Sequence, residues 1–182
     1  MTSTTFRIAS FLFAAFMFVS CESKHEDATQ PPPTKEQTSA KDQILALERE
    51  GKLPLLDRST GIQGPDTNFN GMRDDVENYI ASLPLTSQQK KSVEQLAKGL
   101  QATLLINTAD SSGLDNAVSN IHHAIQCLHL QFASGLDTSW LLTRIEGVTA
   151  NTKERTMQYI KYNNALSGRV LPPLESGNTC DN

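Results

Sequence analysis

The sequence predicts an all-α protein, a small bundle of four or five helices with one oxygen-rich loop leading into a helix. From Lys41 onward apolar residues recur every three to four positions, which is the period of an amphipathic helix. No stretch alternates apolar and polar residues as a half-buried β-strand would. Residues 41–182 have the length of one domain, which is enough to bury a core.

Residues 1–20 have the composition of a secretory signal peptide. Arg7 precedes an apolar run over residues 8–19. Such a run is too short to span a bilayer core of about 30 Å, but it suits the centre of an export signal. The sequence therefore predicts an exported protein.

The end of that signal, Phe18-Val19-Ser20-Cys21, resembles the lipobox of bacterial lipoproteins. The resemblance implies that Cys21 is lipidated, becomes the new N-terminus and anchors the chain in a membrane. Glu22 follows it, and this implies the outer membrane of a bacterial envelope. The alternative is a plain signal peptide cut near the same place.

Residues 21–40 are polar and charged, contain Pro31-Pro32-Pro33 and show no apolar periodicity. This composition cannot form a packed core. We therefore expect a flexible tether, which reaches roughly 60–70 Å when fully stretched. The helical domain follows, with a short helix that carries Ile44 and ends near Gly51, and an extended segment over residues 53–59.

The stretch from Asp66 to Glu77 carries oxygen-bearing side chains at regular spacing. Its positions 1, 3, 5 and 9 are Asp66, Asn68, Asn70 and Asp74, position 6 is Gly71 and position 12 is Glu77. This sequence satisfies the EF-hand pattern D-x-[DN]-x-[DN]-G-x5-E at every specified position.

Calcium is the ion that such spacing favours, because it takes about six to eight oxygen ligands in flexible geometry. The predicted ligands are the side chains of Asp66, Asn68, Asn70 and Glu77, the backbone carbonyl of Met72, and Asp74 acting through a water molecule. The alternative is an Asn/Gly/Asp turn that starts a helix and binds no metal.

The loop differs from a paired EF-hand. Gly64-Pro65 precedes it, and the residue before a proline disfavours helix, so no incoming helix is expected. Arg73 occupies position 8, which is usually apolar, and no second copy of the motif occurs. The loop resembles the loop-then-helix motifs of dockerin-type and thrombospondin type 3 repeats, which implies calcium ligation only. Asp74 and Glu77 have the N-cap and N3 spacing of a helix start.

Helical patterns fill the rest of the chain. Thr86 and Gln89 form a capping box that opens a long helix to about Asn107. Ser112 is the predicted cap of the next helix, which Gly135 ends. A further helical face starts at Trp140, and residues 151–168 form the last helix. Residues 53–80 and 151–168 are also similar to uncharacterised secreted bacterial proteins.

Three cysteines are an odd number for an exported chain. If Cys21 carries lipid, Cys127 and Cys180 remain, and they can pair in an oxidising compartment. We predict this disulfide bond, which would hold the C-terminal tail on the helix that contains Cys127. The alternative is a free thiol at Cys127 and a loose tail.

The net charge argues against nucleic acid as a ligand, and the spacing of the histidines argues against a zinc site. The formal net charge is −4 and the only basic cluster is Lys90-Lys91, which argues against nucleic acid. His122, His123 and His129 lie close along one helix, but they lack recognised zinc spacing and are predicted to be ordinary partly buried or surface residues.

No catalytic motif is recognised, since the sequence lacks G-x-S-x-G, H-E-x-x-H and P-loop patterns. We expect a calcium-binding, lipid-anchored envelope protein with a structural role or with a protein or other envelope component as its partner. The alternative is a calcium-dependent envelope hydrolase, or a hydrolase inhibitor, with an unrecognised active site. A deep pocket where two or more carboxylates or histidines converge away from residues 66–77 would favour the enzyme, whereas a convex bundle with an exposed apolar patch would favour binding.

Overall fold

A computed structural model describes residues 39–133, 135–170 and 177–181. The helices in this part of the chain are α1 (Ala40–Arg49), α2 (Asp74–Ser82), α3 (Ser87–Leu105), α4 (Ser111–Gln131), α5 (Gly135–Thr149) and α6 (Lys153–Leu166). These residues contain no β-strand, so the all-α prediction is confirmed for them. The described helices number six rather than four or five, because α1 and α2 are short but separate elements.

Several predictions concern residues that lie outside the described ones. They are the signal peptide at 1–20, the lipidated Cys21 and the tether up to residue 38. Among the helices that are described, none combines the length and apolar character needed to cross a bilayer.

Helix α3 is the centre of the bundle, because it contacts α2, α4, α5 and α6. Its apolar stripe of Val93, Leu96 and Leu100 is buried, as the sequence predicts. The core around this stripe also includes Val76, Ile80, Leu128, Leu141 and Ile145. A smaller cluster joins the start of α4 to α6 through Leu114, Ala117, Val118 and Tyr162.

The starts of the helices test the capping predictions. Thr86 and Gln89 form the predicted capping box of α3, with both hydrogen bonds present. The predicted cap of α4 is wrong, since Asp110 takes the N-cap position rather than Ser112. Helix α5 begins at Gly135, five residues before Trp140, the first residue of the predicted helical face. Apolar spacing marks only the residues that face the core, so first turns that face solvent give no such signal.

The C-terminal tail is attached to the bundle. Cys127 of α4 and Cys180 form a disulfide bond with an S–S distance of 2.02 Å, which confirms the predicted pair. The Thr179 hydroxyl donates to the His123 carbonyl at 3.0 Å, and Gln95 donates to the Thr179 carbonyl at 2.9 Å. A bridge across 53 residues contributes about 4 kcal/mol through the entropy of the unfolded chain.

Candidate metal centre

The oxygen-rich loop begins without an incoming helix, as predicted. Residues between the end of α1 at Arg49 and the start of α2 at Asp74 form turns and extended segments. The Asp74 amide donates to the Pro65 carbonyl at 2.9 Å, so the last residue before the loop is tied to the start of α2. This bond closes the loop on itself.

Asp66 organises the first half of the loop. Its two carboxylate oxygens accept the backbone amides of Asn70 at 3.1 Å and Gly71 at 3.0 Å. Gly71 has φ +85°, a left-handed conformation that glycine adopts without steric cost. Phe69 also has a positive φ of 56°, and its side chain is exposed. The chain therefore curls tightly around the Asp66 carboxylate.

Asn68 and Asn70 converge on Glu77. The Asn68 amide nitrogen lies 3.0 and 3.2 Å from the two Glu77 carboxylate oxygens, and the Asn70 amide nitrogen lies 3.1 Å from one of them. Positions 3, 5 and 12 of the motif therefore meet at one point. This juxtaposition brings together three of the four side chains predicted as direct ligands.

Among the described residues neither Asp66 nor Glu77 forms an ion pair with a lysine, arginine or histidine. The described residues also contain no group of three or more His, Cys, Asp and Glu side chains placed to hold a metal. The donor set at the loop thus depends on the two asparagines, whose neutral oxygens suit a hard cation such as Ca²⁺.

Asp74 and Met72 are placed differently from the other four predicted ligand residues. The backbone amide and the hydroxyl of Thr67 donate to the Asp74 carboxylate at 2.8 and 2.6 Å, and these bonds lower the pKa of Asp74. Asp74 is the first residue of α2, whereas Arg73 is the N-cap and has no side-chain cap, so the predicted capping role is wrong. The Met72 side chain is buried in the core.

Comparisons with protein families, curated proteins and solved structures find no match. The likenesses to the lipobox and to dockerin-type loops therefore remain resemblances of short motifs.

Arg73, at position 8 of the loop, is fully buried, although the sequence gives no expectation of burial there. Its guanidinium donates to both Asp75 carboxylate oxygens at 2.9 Å. It also donates to the carbonyls of Val148 at 3.0 Å and Thr149 at 2.8 Å, at the C-terminal end of α5. The loop is thus joined to α5, where carbonyls without helical partners favour a positive charge.

A second buried arginine, Arg155 of α6, holds the segment that leads to the loop. It donates to the carbonyls of Asp57, Gly61 and Ile62 at 2.8–3.2 Å and to the Asp57 carboxylate at 2.6 Å. Asn151 adds a bond to the Asp57 carbonyl at 2.8 Å. Residues 57–62 are therefore fixed by α6 before the chain enters the loop.

Gly64 lies between the two arginines. A Cβ atom built on it would stand 2.4 Å from Cδ of Arg73 and 2.9 Å from Nη2 of Arg155. Its φ is also positive, at +67°. The sequence contains a signal for this arrangement, because an arginine stands at a loop position that is normally apolar.

The three histidines of α4 do not form a metal site with Cys127, because Cys127 is in the disulfide bond. His129 Nδ1 lies 3.3 Å from the Thr138 hydroxyl. His122 lines a pocket between α3, α4, α5 and α6.

Proposed function

We propose that residues 66–77 bind one Ca²⁺ ion and that the ion stabilises a lipid-anchored protein of the bacterial envelope. One observation carries the proposal, namely that Asn68 and Asn70 both lie against the Glu77 carboxylate. An unpaired carboxylate that attracts two amide groups is a centre of negative charge that a divalent cation neutralises better. The Asp66 carboxylate, in the same loop, accepts the backbone amides of Asn70 and Gly71.

The residues proposed to hold the ion are the side chains of Asp66, Asn68, Asn70 and Glu77 and the carbonyl of Met72. Asp74 would act through water. Each asparagine now directs its NH₂ group at Glu77, and a half-turn of the amide exchanges this nitrogen for the oxygen that a cation requires. Bound there, Ca²⁺ supplies electrostatic cross-linking between the loop and the first turn of α2.

Two contacts support a structural role for the ion. The Asp74 amide bonds the Pro65 carbonyl, and Arg73 joins the loop to the end of α5. Ordering of the loop therefore reaches both the incoming segment and a helix of the core. Because the ion binds the folded chain alone, its binding free energy adds to the free energy of unfolding.

The test is thermal unfolding of the full chain with and without calcium. An extracellular-type site has a Kd of about 10⁻⁴ to 10⁻³ M. At 10 mM calcium this corresponds to about 1.4–2.7 kcal/mol of added stability, or a rise in Tm of about 4–10 °C. Magnesium at the same concentration should raise Tm much less, because it prefers a smaller octahedral shell.

The matched variants are Glu77→Gln and Glu154→Gln. Each removes one carboxylate from the first turn of a helix, α2 or α6, so their helix-dipole effects are alike. We expect Glu77→Gln to abolish the calcium-induced rise and Glu154→Gln to keep it. A calcium response of the same size in Glu77→Gln would refute the proposed site.

We further propose that Cys21 carries the membrane anchor and that the helical domain faces a protein or other component of the envelope. The support is the lipobox-like sequence and the polar tether between Cys21 and α1. The calcium response and the anchor are independent of each other, so each has its own experiment.

A further inference from the structure

A pocket of about 140 Å³ lies between α3, α4, α5 and α6, on residues separate from the loop at 66–77. Its walls are mostly apolar, and they are formed by Leu100, Val118, Ile121, Ile125, Leu142 and Leu166. An engineered protein cavity of about 150 Å³ binds benzene, so this pocket has room for one small ring. Asn163 at the rim is exposed, so the pocket opens to solvent.

Glu146 brings a carboxylate to this apolar pocket. The Tyr159 hydroxyl donates to one of its oxygens at 2.8 Å. Burial and the neighbouring Glu146 raise the pKa of Tyr159 to about 12, so the phenol remains a proton donor at neutral pH. No lysine or arginine lines the pocket, and Glu146 has no ion pair with any described residue.

His122 contributes a buried polar atom without a partner. Its Nδ1 forms no hydrogen bond in the part of the chain that the structure describes. A buried polar atom left unsatisfied costs about 1–3 kcal/mol. His122 therefore lines the pocket with its ring, while its Nδ1 is too buried to bond a ligand there.

Two tyrosine rings complete the lining. The ring centroids of Tyr159 and Tyr162 are 6.5 Å apart, with an angle of 23° between the ring planes. Tyr162 is only 5% exposed. Aromatic rings next to a carboxylate attract organic cations, because the ring faces and the carboxylate are both negative.

We propose that this pocket binds a small organic cation, an ammonium group carried on an apolar ring or short alkyl chain. Glu146 accepts the ammonium group, and the apolar and aromatic walls hold the organic body. The ligand class follows from one carboxylate with no cationic partner inside an apolar and aromatic lining. The pocket is independent of calcium binding.

Three probes of the same shape and different charge test the proposal. They are benzylamine, which is cationic, benzyl alcohol, which is neutral, and benzoate, which is anionic. Binding to the full chain is measured by calorimetry, and chemical shifts of the His122, Tyr159 and Tyr162 rings locate the probe. We expect benzylamine to bind in the pocket about tenfold or more tightly than the other two.

Glu146→Gln keeps the shape and the acceptor for Tyr159 but removes the charge. It should lower the benzylamine affinity about tenfold and bring it close to that of benzyl alcohol. Asp137→Asn removes an exposed carboxylate from the first turn of the same helix and should change nothing. Tyr162→Phe, which removes only a hydroxyl, should keep the preference for the cation.

Equal affinities for the three probes would show an apolar cavity with no charge selectivity and would overturn the proposal. So would the absence of ring shifts with all three probes at millimolar concentration. A preference for benzylamine that survives in Glu146→Gln would also overturn it.

Discussion

Gly64 is a position where one added methyl group should disturb the two buried arginines. Substitution by alanine would place a Cβ 2.4 Å from Cδ of buried Arg73 and would force φ +67° on an L-residue. We expect Gly64→Ala to lower the free energy of unfolding by about 2–4 kcal/mol, from the backbone strain and the displaced arginine together. Chemical denaturation measures this loss.

Gly51→Ala is the control. Its φ is +68°, but a Cβ there would have no atom within 4 Å. Gly51→Ala should therefore lower the free energy of unfolding by about 1–2 kcal/mol, from backbone strain alone. Equal losses in the two variants would show that the arginines move aside freely and that Gly64 is not needed for their packing.

The positive φ of Gly71 was predictable from the sequence, whereas the hydrogen-bond partners of the two buried arginines were not, for a physical reason. Gly71 takes the positive φ that position 6 of the motif requires, because the ligand pattern is local in sequence. Arg73 and Arg155 are buried because carbonyls of distant segments accept their hydrogen bonds. Acceptors that the fold assembles cannot be read from the sequence around an arginine.

At the scale of elements, the contact between the segment at 57–62 and α6 depends on an ionised Asp57. Burial alone would raise the pKa of Asp57, but hydrogen bonds from Arg155 and Ser59 outweigh it and lower the pKa from 3.8 to about 2. A lowered pKa in the folded state stabilises the fold above pH 3.8, and this contribution is lost as the pH falls towards 2.

We therefore expect Asp57→Asn to lower the free energy of unfolding more at pH 6 than at pH 2.5. The charge-dependent part is about 1 kcal/mol, after allowance for solvent screening on the exposed side of the carboxylate. Urea unfolding of both proteins at the two pH values measures the difference. Asp137→Asn, which removes an exposed carboxylate, should show no such change. A cost of Asp57→Asn that is the same at both pH values would contradict the role given to the ion pair.

At the scale of the whole molecule, the sequence predicted the all-α class, the long helices and the disulfide pair. The stripe on α3 was predictable because it repeats over five turns of a helix that faces four neighbours. The pocket at Glu146 was not, because its lining comes from four separate helices. Periodicity identifies a buried face, and it carries no information about which polar residues meet beside that face.

One cysteine is predicted to be lipidated and the other two form a disulfide bond, and this difference allows a test of the anchor. Cys127 and Cys180 are joined to each other, so neither thiol is free for lipid. Cys21, which lies outside the described residues, is the remaining cysteine. In bacterial cells fed a palmitate analogue, we expect label on the wild-type chain and none on Cys21→Ala, which should leave the membrane fraction.

The Cys127→Ala/Cys180→Ala double variant is the control and should keep its label, although loss of the disulfide lowers its stability by about 4 kcal/mol. Label that persists in Cys21→Ala would mean that the acyl chain is attached elsewhere. An unlabelled wild-type chain recovered without membranes would favour a plain signal peptide, because acyl chains are what hold such a protein at a bilayer.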